Sequence, residues 1–439
     1  MSYFFILLFV ALVFLRPQEW LWEFLWGWPL LDVTFLIAMA AFVLELNEKK
    51  VRIPWKSPFL WLIAGVWFAG CWSHIVHTYL AGLLSILALM FKTSFFTIVL
   101  LCTLDRPSRL RRLALLFVLM TGVMSWNCFL QATRGYGLAG DWPVPVWVPG
   151  KEPYNRTLFF GIFGDPNDTA QIIAAAIPLI FAVPRRLGLF RFLFACAVSA
   201  AFVWAVLSTH SRGGLVGMLV TFSLMGAAVL PARLRRWVLW GLLVGYLVMC
   251  PFSAAHLDES AHERVVFWGQ ANWVFTSHPV RTLFGVGANM FADYIEGDRA
   301  AHNAFVLCYT ELGLFGFWFW YGQLQLGVVG ALRSVRALRR PRTADERWMK
   351  RFAGMIMASV GGYMAAAYFL SRAFIYPTYL LFAMLASVTL VTQRLLPEDH
   401  PPLLEPRKDL LLWNSVGAVA AILYIYVSII LLNKAYFGS

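Results

Sequence analysis

The chain has 439 residues, a formal net charge of +13, 60% hydrophobic residues and only 13% charged ones. Soluble domains carry about 25% charge, so the chain has too few charges to clothe the roughly three soluble domains its length would otherwise suggest. A mean hydropathy of +0.68 points instead to an all-α, polytopic membrane protein, and excludes disordered, collagen-like and disulfide-scaffold classes.

Apolar runs long enough to approach the roughly 20 residues that span a bilayer fall at about 3–16, 29–46, 58–73, 84–104, 113–130, 169–183 and 192–209. They continue at 213–230, 237–253, 303–329, 353–371, 374–393 and 411–432. This predicts twelve to thirteen transmembrane helices in a single domain over 1–439, with 74–92 as a candidate interfacial helix. Residues 1–15 lack a basic start and a small-residue cleavage site, so they read as a retained first helix. Six basic clusters, at 49–56, 106–112, 185–191, 233–236, 333–351 and 394–408, hold most of the 36 lysines and arginines. Alternate threading puts all six on one side, which the positive-inside rule makes the cytoplasm. The positive charge therefore calls for membrane lipids as neighbours, and for no nucleic acid.

Two substantial segments fall on the other side. The first, 131–168, is rich in Gly, Pro and Trp and reads as irregular. The second, about 50 residues over 253–302, is more polar. Within it ERVVFWGQANWVFTS has amphipathic spacing, with Val266, Trp273 and Val274 near one face. That predicts a helix on the membrane surface or across the mouth of the bundle, with its tryptophans at headgroup level.

Arg212, in STHSRGGLVG, sits between two apolar runs, where a guanidinium needs water, a partner or a ligand. The glycines after it permit close approach of backbone or ligand; snorkelling to headgroups is the plain alternative. Arg264 lies on the amphipathic segment. His302 and Asn303 open the span that holds Glu311, an intramembrane carboxylate and so a functional candidate. A histidine at a water–membrane boundary suits general-base work; a polar helix start is its structural alternative. In FGDPNDTA, Asp165-Pro166 makes a turn, and Asn167 or Asp168 can cap the next helix or contact substrate. Arg16, Arg156, Arg281 and Arg372 also lie on the external side, against the charge trend. The six cysteines (Cys71, Cys102, Cys128, Cys196, Cys250, Cys308) have neither CxxC nor zinc-ligand spacing and read as small buried hydrophobes. There is no Walker loop and no HExxH, so no metal and no cofactor are expected. Fixed cations are the chemistry on offer.

Three motifs, SRGGLVG, ERVVFWGQANWVFTSHPVRTLFGVGANMF and HNAFVLCYTELGLFG, together with FGDPNDTA, resemble the O-antigen ligase and O-antigen polymerase superfamily. The likeness covers 155–320 by motif. It implies about a dozen helices, a large periplasmic loop, and a bacterial inner membrane location with the active site facing the periplasm. It further implies a glycosyltransferase whose donor is an undecaprenyl diphosphate-linked glycan and whose acceptor is lipid A core or another glycan. Arg212 and Arg264 match the family's essential arginines and would bind the diphosphate, and His302 matches its catalytic histidine. Asn303, Arg372, Asp168, Asn167 and Glu311 are the further substrate-binding candidates. A ligase reaction, inverting and metal-independent, is the first expectation. A polymerase and a protein O-glycan ligase share the donor, and a lipid-linked sugar transporter is the non-enzyme alternative.

Overall fold

The computed structural model describes residues 1–21, 23–147, 150, 152–252, 259–297 and 300–437. The chain is an all-α polytopic membrane protein. Helices α1 (Ser2–Leu15), α2 (Pro17–Trp20), α3 (Leu30–Asn47), α4 (Pro58–Ile75), α5 (Leu80–Thr103) and α6 (Pro107–Arg134) form the first half. A two-stranded hairpin, β1 (Val144–Val146) and β2 (Tyr154–Arg156), pairs antiparallel with Val144 opposite Arg156. Then come α7 (Pro166–Ala182), α8 (Leu189–Ser208), α9 (Arg212–Val229), α10 (Ala232–Phe252), α11 (Glu259–Thr276) and α12 (Pro279–Phe284). The last four are α13 (Ala304–Ala337), α14 (Ala344–Ala367), α15 (Tyr376–Leu395) and α16 (Asn414–Phe437), with a π-helical turn over Pro406–Trp413 leading into α16. Local chemistry sets many boundaries. Pro58, Pro107, Pro166 and Pro279 each stand in a first turn, where the missing N–H costs nothing.

Every apolar run read from the sequence falls on a helix. Among the described residues nine helical stretches are long and apolar enough to cross a membrane, fewer than the twelve to thirteen expected. The difference lies in α7, α9, α10 and α14. Helix α7 has 17 residues, and α14 opens on the charged turns Ala-Asp-Glu-Arg-Trp-Met-Lys-Arg. The candidate interfacial segment 74–92 is not separate: α5 runs unbroken from Leu80 to Thr103. The expected irregular loop 131–168 carries the hairpin, and the second external segment is mostly helical from Glu259 to Phe284. Its start, 253–258, lies outside the described residues, as do 298 and 299.

Helices α7, α9 and α14 pack as the centre of the bundle. Small residues let the backbones approach: a Cβ on Gly217 of α9 would sit 2.8 Å from the Gly362 carbonyl of α14. Polar side chains tie α7 to α14 along its length. Gln171 Nε2 donates to the Tyr363 carbonyl at 2.9 Å, Ser359 Oγ to the Ala175 carbonyl, and Trp348 Nε1 to the Ala182 carbonyl at 2.8 Å. Around this centre large apolar side chains face outward, among them Leu84 at 73% and Phe190 at 82% exposure, as lipid-facing residues should.

Helix α13 is broken at Gly313 (φ 66°, ψ −171°). The break frees carbonyls that the segment after α12 caps: Val286 N donates to Thr310 O at 2.9 Å and Gly287 N to Glu311 O at 3.1 Å. Gly285 has φ 77°, and a Cβ there would overlap the Glu311 carbonyl; one on Gly313 would overlap the Leu283 backbone. Two histidines of the α4 end hold the same segment. His74 Nε2 bonds the Ala288 carbonyl at 2.9 Å and His77 Nε2 the Gly285 carbonyl at 2.8 Å. Gly285→Ala and Gly313→Ala should therefore each lower the melting temperature of the detergent-purified protein, by strain of about 1–3 kcal/mol plus backbone overlap. Gly226→Ala, a helical site with nothing within 4 Å of the new Cβ, should leave it unchanged or slightly raised. Equal melting of all three would show that the break is not needed.

Candidate active site

The site is built on the Asn167-Asp168 step at the start of α7. Asp165 is the N-cap of that helix, its Oδ1 accepting from Asn167 N at 2.6 Å. The cap expected of Asn167 or Asp168 therefore belongs to Asp165, and both neighbouring side chains are used elsewhere. Asn167 Oδ1 accepts from Ser211 Oγ at 2.7 Å and from Arg156 Nη2 at 3.0 Å. Ser211 is itself the N-cap of α9, its Oγ accepting from Gly214 N at 3.0 Å. Arg212 is the first residue of that helix and is exposed. Asp168 is 4% exposed and takes a two-point contact from Arg372, with Nε to Oδ1 at 2.8 Å and Nη2 to Oδ2.

The electrostatics follow from this arrangement. Burial pulls the Arg156 guanidinium below its ordinary pKa; Asp165 and Tyr154 counter that, and the charge of Arg212 adds to it. The charges of Arg156 and Arg212 thus act on one another. Burial also works against Arg372, but the Asp168 carboxylate more than offsets it, and its pKa lies above the ordinary value.

His302 joins the cluster through the backbone. Its N–H donates to Ser371 Oγ at 2.6 Å, one residue from Arg372. It holds φ 46°, a left-handed conformation that a non-glycine residue adopts at a cost. His210, just before Ser211, has φ 49° and packs its ring on Tyr154 at 4.7 Å. Asn303 is the N-cap of α13, its Oδ1 accepting from Phe305 N and Val306 N at 2.9 and 3.2 Å. Capping fixes the amide, so its buried Nδ2 has no partner among the described residues.

Arg264 stands half-buried on α11, one turn before Trp268. Trp268 Nε1 donates to the Ala301 carbonyl at 2.7 Å, and its ring meets Tyr368 edge-on at 5.7 Å. The buried face of α11 is thus Val265, Trp268, Ala271, Asn272 and Phe275. Of the expected face, Val274 is buried as well, at 2% exposure, but Trp273 is 70% exposed, and Trp268 is fully buried rather than at headgroup level. Glu311 makes no ion pair with Arg372, whose carboxylate partner is Asp168. It lines a cavity of about 400 Å³ with Arg372, Ser371, Asn289, Thr93 and Tyr379, and its Oε1 accepts from Phe291 N at 3.2 Å.

The structure therefore gathers Arg212, Asn167, Asp168 and Arg372, links His302 to them through Ser371, and places Arg264 on the helix that buttresses residue 301. The glycines after Arg212 serve packing: a Cβ on Gly213 would meet Phe369 at 3.1 Å, and one on Gly214 would overlap Ala170. Arg16 is paired with Glu19 at 2.6 Å, and Arg281 lies over the Tyr294 ring at 5.1 Å. Sequence reasoning gave Arg156 a minor place and missed Ser211, Ser371, His74 and His77. The signal for the histidines was present, as a pair three residues apart at the polar end of a span. Among the described residues no three His, Cys, Asp or Glu side chains form a metal-ligand group. No protein-family model matches the chain, and no curated protein matches it.

What this geometry can do is bind an anion of high charge. The amino termini of α7 and α9 meet through Asn167 and Ser211, and that of α13 follows His302. Each carries the partial positive charge of a helix amino terminus. Asp168→Asn removes the charge from the Arg372 contact and should cost about 1.5–3 kcal/mol of stability, read as an earlier unfolding transition in SDS titration. In a double-mutant cycle with Arg372→Gln the pair should couple by more than about 1 kcal/mol. Additive effects would show that the contact does not hold the cluster.

Proposed function

We propose that the protein is a membrane glycosyltransferase that moves a glycan from undecaprenyl diphosphate to an acceptor hydroxyl at the periplasmic face of a bacterial inner membrane. The acceptor we assign first is lipid A core, the O-antigen ligase reaction. The observation that carries this reading is the convergence of Arg156, Arg212 and Arg372 with three helix amino termini beside His302. A diphosphate leaving group needs fixed cations, and guanidinium matches phosphate oxygens two at a time. The motif resemblance supplies the donor and acceptor, which the geometry alone does not name.

In this scheme Arg212 and Arg264 bind the diphosphate and stabilise the charge that grows as its bond to the sugar weakens. Arg156 and Arg372 add to the field, oriented by Asn167 and Asp168, which act as positioning residues. The acceptor oxygen bonds to the anomeric carbon as the bond from that carbon to the diphosphate oxygen breaks. The electron pair leaves with the diphosphate, and the hydroxyl proton passes to the His302 imidazole. An imidazole suits this because its pKa in model peptides is about 6.5, so much of it is neutral near pH 7. One displacement inverts the anomeric centre. The partnerless Asn303 Nδ2 next to His302 offers a hydrogen bond to an incoming oxygen. The Glu311 cavity lies on the other side of Ser371 and Arg372 and is large enough for part of a sugar.

The test is transfer by purified, reconstituted protein from undecaprenyl diphosphate-linked glycan, with and without lipid A core. One glycan added to the core, only when core is present, supports the ligase. A ladder of longer lipid-linked glycans without core would make it a polymerase, and no covalent product with either would favour a transporter. His302→Ala should lower transfer by about 10²–10⁴-fold while the protein still purifies as a folded species. Arg212→Lys should lose about 10²–10³-fold, because a point charge cannot reproduce the two-point fork. EDTA should leave the rate unchanged; loss with EDTA and rescue by a divalent ion would overturn the arginine mechanism.

A further inference from the structure

At the opposite end of α6 and α7 from the arginine cluster, two hollows run into one another. The first is an apolar groove of about 500 Å³ between α6 and α8, lined among others by Leu115, Leu119, Gly122, Trp126, Phe194 and Phe202. It opens to the side of the bundle, with Leu119 at 53% and Phe194 at 64% exposure. The second, about 450 Å³, carries Arg111, Arg112, Arg185 and Arg191. The two share Leu115, Val183, Pro184 and Arg191, so the apolar groove ends in a basic bowl.

The charge balance of the bowl is lopsided. Arg185 pairs with Asp345 at 3.2 Å across exposed side chains, and Arg191 Nη1 donates to the Arg186 carbonyl at 3.1 Å. Arg111 and Arg112 have no carboxylate partner among the described residues. Four guanidiniums thus face one rim carboxylate. The groove has the length of one leaflet: Leu115 and Trp126 are eleven residues apart on α6, about 16 Å along the axis. Half of the roughly 30 Å hydrocarbon core is about the same.

We propose that this composite hollow is a binding site for an anionic glycerophospholipid. Its phosphate lies among Arg111, Arg112, Arg185 and Arg191, and an acyl chain lies along the groove toward Trp126. Basic pockets at the ends of membrane helices bind anionic headgroups in this way. A neutral headgroup would leave the bowl self-repelling, and a free phosphate would leave the groove unfilled. The bound lipid would seal α8 against α6 and α7, in contrast to the outer ends of these elements, where protein side chains do the joining.

The test is native mass spectrometry of the full chain in detergent, with phosphatidylglycerol, phosphatidylcholine or a polyprenyl phosphate added at equal concentration. Phosphatidylglycerol should be retained to higher collision energy than the other two. Arg111→Gln with Arg112→Gln should weaken its binding by roughly tenfold to thirtyfold. Arg233→Gln with Arg236→Gln, on the basic start of α10, should leave it unchanged. Gly122→Leu fills the groove where a Cβ meets only Phe202, at 4.0 Å, and raises helix propensity. It should reduce retention while the protein stays folded. Equal retention of neutral and anionic lipid, preference for the polyprenyl phosphate, or full binding by both site variants would overturn the proposal.

Discussion

Two consecutive side chains, Asn167 and Asp168, hold four parts of the chain in place. Asn167 joins the hairpin residue Arg156 to the α9 cap Ser211, and Asp168 holds the 371–372 segment, to which His302 is bonded. An arrangement that crowds guanidiniums and positive helix ends is unfavourable on its own electrostatics. It persists because α7 is fixed along its length to α14 and packed closely against α9, where a Cβ on Gly214 would overlap Ala170. The left-handed backbones of His210 and His302 flank the same cluster, and strain of this kind gathers where surrounding structure over-determines a site. The Asp168 carboxylate, and the charge of Asp165 beside it, offset part of that crowding.

Much of this architecture could be read from the chain. Apolar runs located every long helix because the bilayer imposes one length and one composition on whatever crosses it. The runs of α7, α9, α10 and α14 are helices too, though among the described residues they fall outside the nine stretches that meet the length and composition of a span. A run of apolar residues buried inside protein looks like one facing lipid, and α7 is of the first kind. Arg212, His302 and Arg372 stood out because a charge or an imidazole in apolar sequence needs a reason. The roles of their neighbours did not stand out. Asp165, Asn167 and Asp168 are all competent caps, and only the position of Ser211 and Arg372 in space decides which of them caps. On α11, Val274 is buried as expected and Trp273 is not, for a similar reason. Trp268 and Trp273 are equal in sequence, and the Ala301 carbonyl selects Trp268.

The break in α13 shows how the two halves of the site are kept apart yet aligned. Gly313 lets the helix part, and the freed carbonyls are taken by the segment after α12. His74 and His77 reach the same segment from α4. Glu311 is thereby fixed by backbone donors rather than by an arginine. Arg372 already has its carboxylate partner in Asp168. Holding Glu311 with amide groups leaves the cavity polar without a second carboxylate on Arg372.

Helices α6 and α7 present opposite solutions at their two ends. At the Asn167 end, arginines are oriented by an amide and a carboxylate, and side-chain hydrogen bonds tie α6 to the segment after β2: Asn127 Nδ2 donates to the Leu158 carbonyl at 2.9 Å and Leu158 N to Gln131 Oε1 at 2.9 Å. At the Arg111 end the arginines are more numerous, less paired, and set over an apolar groove. A fixed field suits a site that must bind and release a charged leaving group, because orientation comes from the protein and is present before the ligand arrives. An unpaired field over a lipid-facing groove suits a ligand that stays, because the lipid supplies the missing charge and the missing packing together. The same residue type is thus held in two different ways near the two ends of α6 and α7, and the partners the protein gives each arginine separate them.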